Sequence, residues 1–87
     1  MSNIEEMFQT ILERKVERPD GSRTVTELDA GVHFIGKKIV EEAAEVWMAA
    51  EYESDQELAE ESSQLVYHLL VRLDAKGLPL EDLYKYL

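Results

Sequence analysis

Residues Lys37–Ala50 read KKIVEEAAEVWMAA, and Glu60–Leu73 read EESSQLVYHLLVRL. Around the first stretch, Val32, Ile35, Ile39, Ala43, Val46 and Ala50 recur every three or four residues, the period of one helix face. That spacing predicts a long helix over Val32–Tyr52. Around the second, Leu58, Leu65, Leu69 and Leu73 recur in the same way and are expected to point inward. This helix should end near Ala75, and Ser54 with Glu57 has the spacing of a capping box at its start. The turn between the two is short, so they are expected to form an antiparallel hairpin.

Outward from the hairpin, Ile4, Met7, Phe8, Ile11 and Leu12 predict a first helix over Ile4–Val16. Pro19, Asp20 and Gly21 break it, within a polar loop, residues 17–23, that carries Arg18 and Arg23. Thr24 and Glu27 repeat the capping-box spacing and predict that a helix restarts there. Gly31 and Gly36 mark weak points, so a bent or irregular connection is expected. Gly77 suits the residue past a helix end and Pro79 the start of a last short helix, Leu80–Tyr86. No alternating strand pattern competes. The expected fold is all-α, one domain over residues 1–87, a helical hairpin or bundle of four to five helices.

The chain has 87 residues, and its apolar fraction of 45% is ample for a globular core. A domain this small commonly shares apolar surface with another chain, so a homodimer is expected. Nineteen acidic against nine basic side chains give a formal charge of −10, which repels nucleic acid and anionic membranes alike. Cysteine is absent, which excludes disulfides, thiolate metal sites and a cysteine nucleophile. The start, MSNIEEMFQT, lacks the pattern of a secretory leader, and no apolar run approaches a membrane span, so a cytoplasmic location is expected.

Successive helical residues advance by about 100°, which places Lys38, Glu41, Glu42 and Glu45 along one flank of the first apolar stripe. Glu57, Glu61, Gln64 and His68 occupy the matching flank of the other helix. If the stripes pack together, carboxylates from facing helices converge, as in metal-binding bundles. Crowded carboxylates raise one another's pKa, and a hard cation such as Mg²⁺ relieves that cost while preferring oxygen ligands. The bland reading stands beside this one. E-x-x-E spacing is common on solvated faces, and Glu5, Glu6, Glu51, Glu53, Glu81 and Asp82 read as plain surface charge. His68 alone reads as a boundary histidine, Trp47 and Tyr67 as packing or interface residues. Lys37 and Lys38 can pair with neighbouring glutamates.

The two quoted stretches, with Glu13–Gly31 (ERKVERPDGSRTVTELDAG) and Gly77–Leu87 (GLPLEDLYKYL), closely resemble phosphoribosyl-ATP pyrophosphohydrolases of histidine biosynthesis. These belong to the all-α nucleoside triphosphate pyrophosphohydrolases that include the MazG-like proteins, marked by E-E-x-x-E and then E-x-x-D. Glu41, Glu42 and Glu45 match the first motif. Glu61 opens the second, whose aspartate is Gln64 here, a neutral oxygen donor that leaves Glu57 or Glu60 as stand-ins. The resemblance implies Mg²⁺-dependent hydrolysis of phosphoribosyl-ATP to phosphoribosyl-AMP and pyrophosphate. It implies Glu41, Glu42, Glu45 and Glu61 as catalytic residues, and Glu42, Glu45, Glu61 and Gln64 as metal ligands. Lys38, Arg23 and His68 become the expected phosphate contacts. Alternatives are a MazG-like enzyme acting on free nucleotides, which shares the acidic motif, and a non-catalytic helical dimer, favoured only by Gln64.

Overall fold

The computed structural model describes residues 3–87. Met1 and Ser2, part of the stretch read for a leader, lie outside the described residues. Five helices follow in order: α1 (Ile4–Glu17), α2 (Arg23–Ala30), α3 (Val32–Tyr52), α4 (Asp55–Lys76) and α5 (Leu80–Tyr84), with no strand among the described residues. The all-α expectation holds. Among the described residues no helix is long and apolar enough to cross a membrane.

Local chemistry sets most boundaries. Ser54 caps α4 by accepting from the Glu57 backbone N–H at 3.1 Å, and its hydroxyl also donates to Glu57 Oε1. Gly77 closes α4 with φ +83°, while the Leu78 N–H reaches back to the Leu73 carbonyl at 3.0 Å, the Schellman arrangement. A helix does restart beside Thr24, as expected, but Thr24 does not cap it. Ser22 is its N-cap, accepting from the Val25 N–H, and Thr24 and Glu27 lie buried inside the helix. The Thr24 hydroxyl is hydrogen-bonded to Tyr67 and Glu27 faces His68, so their spacing has nothing to do with capping. Between α2 and α3 the chain turns on Gly31 alone, at φ +98°, whereas Gly36 is an ordinary helical residue of α3.

α3 and α4 pack along their length, and α4 also meets α1 and α2. Phe8, Ile11, Ile35, Tyr67, Leu70, Val71 and Leu80 form the core, with Ile39, Val66 and Leu73 packed on it. The inward face of α3 centres on Ile35, Ile39, Val46 and Ala49. Val32, Ala43 and Ala50 lie about 60–80° round from that centre and are exposed. On α4 the buried side is Tyr67, His68, Leu70, Val71 and Asp74, because three helices cover it. Leu58, Leu65 and Leu73 are therefore only partly buried, and Leu69, expected inside, is 43% exposed.

Candidate active site

Glu42 and Glu45 on α3 and Glu61 on α4 each bring a carboxylate oxygen to within 4.8 Å of the other two. Three residues of spacing send Glu42 and Glu45 out of α3 in neighbouring directions, and Glu61 reaches them from the facing helix. Crowding changes their acidity. Glu61 is pushed up to about 7, first by hydrogen bonding with Glu45, then by loss of solvent and by Glu42. Glu42 is also raised, chiefly because burial penalises its charged form, with Glu45 adding to the effect and Lys38 among the groups opposing it. Near the hairpin turn Glu53 is raised by Glu57 in the same way.

Glu42 lies within the buried face of α3, about 20° from its centre, and not on a flank. Its Oε2 is buried without a hydrogen-bond partner. Three carboxylates, one of them with an orphaned buried oxygen, and no thiolate form a donor set suited to a hard divalent cation. Glu41 stands apart. Its Oε2 is 3.4 Å from Lys38 Nζ on the exposed surface of α3. Gln64 Oε1 accepts from Arg23 Nη1 at 2.6 Å. Neither residue belongs to the close cluster.

Beside the cluster runs a groove of about 320 Å³, lined by Arg23, Thr26, Glu27, Phe34, Lys38, Glu42 and His68. Arg23 and Lys38 thus bring positive charge next to the carboxylates. His68 is buried, with Nε2 3.8 Å from Glu42 Oε1 and Nδ1 2.6 Å from Glu27 Oε1. The closer approach falls outside hydrogen-bond direction, so Nδ1 and both Glu27 oxygens count as unpartnered despite the short distance. Both nitrogens of His68 face carboxylates, which suits it to steadying Glu42 better than to meeting a phosphate from solvent.

Compared with protein-family models, residues 4–87 match that of phosphoribosyl-ATP pyrophosphohydrolase, nearly the whole chain. The chain belongs to that family. As a phosphoribosyl-ATP pyrophosphohydrolase it is a hydrolase of histidine biosynthesis, and the acidic cluster lies within the matched region. Sequence reading missed three residues that line the pyrophosphohydrolase groove, Thr26, Glu27 and Phe34. Glu27, 2% exposed, carried the spacing of a cap, and its partner His68 is far away in the chain. Phe34 falls outside the apolar stripe, and only the fold brings its ring to the groove wall.

Proposed function

We propose that the chain hydrolyses the α–β phosphoanhydride of phosphoribosyl-ATP in a Mg²⁺-dependent reaction, with Glu42, Glu45 and Glu61 as the cation's protein ligands. The convergence of these three carboxylates carries the reading. Water adds to the α-phosphorus, the bond to the bridging oxygen breaks, and phosphoribosyl-AMP and pyrophosphate leave with the water's protons. Bound at the cluster, a magnesium ion supplies charge neutralisation and electrophilic polarisation to the phosphoanhydride. Lys38 and Arg23, on the groove walls, offset the charge of the polyphosphate that the chain's −10 would otherwise repel. Glu27 and His68 restrain Glu42 from behind, as outer groups commonly do for metal-ligating carboxylates.

The working unit in this reading is a two-fold dimer. Val40, Trp47 and Met48 share the outer face of α3 at helical spacing, and Trp47 is 63% exposed. An apolar ridge of this kind on so small a domain suits an isologous contact between copies.

The test is product analysis with purified protein, phosphoribosyl-ATP and a panel of nucleoside triphosphates, with Mg²⁺ or excess chelator. Pyrophosphate should appear from phosphoribosyl-ATP and only with Mg²⁺. Orthophosphate as the first product, or full activity in chelator, would overturn the reading. Faster turnover of common triphosphates would move the chain toward the MazG-like activity.

A further inference from the structure

A guanidinium on a groove wall serves a substrate best when it is already held, because ordering a long side chain at each binding event costs affinity. Arg23 is held by one turn of α4. Its Cζ lies 3.9 Å from the centre of the Tyr67 ring, and its Nη1 donates to Gln64 Oε1 at 2.6 Å. Gln64 and Tyr67 are three residues apart, so both face the same direction and present a flat ring and an acceptor together. Tyr67 is itself fixed: it is buried, and its hydroxyl is hydrogen-bonded at 2.6 Å to Thr24, the residue after Arg23. Among the described residues Arg23 takes part in no ion pair.

We propose that Gln64 is a positioning residue for Arg23, holding the guanidinium over the groove as an uncancelled cation for a phosphate of phosphoribosyl-ATP, and is not a ligand of the cation. This rests on the groove being the phosphate site. The chemistry of position 64 explains the arrangement. A neutral amide oxygen directs a guanidinium and leaves its charge for the substrate, whereas a carboxylate would pair with it and cancel that charge.

The experiment compares the full chain with Arg23→Ala, Gln64→Ala, the double variant and Gln64→Glu. Steady-state kinetics on phosphoribosyl-ATP are read beside Mn²⁺ binding to the substrate-free protein, with thermal melting as the check on folding. Arg23→Ala should raise KM about tenfold with kcat little changed, the pattern of a lost binding contact. Gln64→Ala should raise KM several-fold, and the double variant should match Arg23→Ala, because a positioning residue has nothing left to position. Mn²⁺ should bind the alanine variants no more weakly than wild type. Gln64→Glu, which keeps the shape and adds charge, should raise KM as well. Tenfold weaker Mn²⁺ binding by Gln64→Ala, independent multiplication of the two effects, or an unchanged KM in Gln64→Glu would each overturn the proposal. A raised KM in Arg23→Ala with none in Gln64→Ala would overturn the positioning role alone. An unchanged KM in Arg23→Ala would overturn both that role and the groove reading.

Discussion

Glu45 and Glu61 share one small volume with Glu42, yet the three are held differently, and single substitutions should separate them. Glu45 is exposed and contributes mainly charge to the cluster, so Glu45→Gln should lower turnover about a hundredfold or more while leaving the helical spectrum unchanged. In metal-free protein near pH 8 the same variant should melt higher than wild type, because one repelling charge is gone. A lower melting point there would mean that the carboxylates are not straining the fold. Glu41→Gln should cost less than tenfold, since Glu41 pairs with Lys38 outside the cluster. Spacing put Glu42, Glu45 and Glu61 on facing sides of two helices, and the family resemblance singled them out from other acids spaced alike. Spacing could not separate Glu41 from them, nor find Glu27, whose neighbour His68 lies on α4.

Helix by helix, the two ends of α4 were legible, the cap of α2 was misplaced from Ser22 to Thr24, and the buried faces were the least legible. A cap is settled within four residues, so Ser54 and Gly77 could be read directly. Ser54→Ala should cost about 1 kcal/mol, or roughly 4–8 °C in Tm for a domain of this size. An unchanged Tm would show that the Ser54 hydroxyl is dispensable. The inward face of α4 could not be read from its leucines, because three helices cover it and they select Tyr67, Leu70 and Val71 instead. Leu70, 1% exposed, lies in the core, so Leu70→Ala should destabilise by about 2–5 kcal/mol, a large part of a small domain's total. Leu69→Ala, on the opposite side, should cost under about 1 kcal/mol in the isolated chain. Equal costs at the two positions would contradict the assigned face.

For the whole molecule, charge and assembly decide behaviour. A carboxyl whose pKa rises on folding binds its proton more tightly in the native state. Its stabilising contribution is complete below the ordinary value of 4.5 and is lost as pH climbs through about 7, the value for Glu61. Metal-free protein should therefore lose Tm between about pH 5 and pH 8, and Glu61→Gln should lose less. Added Mg²⁺ should raise Tm most at the upper end of that window. A fall equally steep in Glu61→Gln would place its origin elsewhere. Light scattering should give the mass of a dimer, and Trp47→Lys should give a monomer. The helical class was legible from periodicity alone, whereas the proposed pairing of copies rests on which apolar residues α3 leaves outside, and that depends on how α4 packs. The account stands most directly on turnover of phosphoribosyl-ATP against Mg²⁺ concentration in wild type and Glu45→Gln. Wild-type rate should saturate with Mg²⁺ and vanish in excess chelator, with Glu45→Gln about a hundredfold slower at the saturating concentration. A near-wild-type rate in Glu45→Gln, or a wild-type rate indifferent to chelator, would contradict the role given to the three-glutamate cluster.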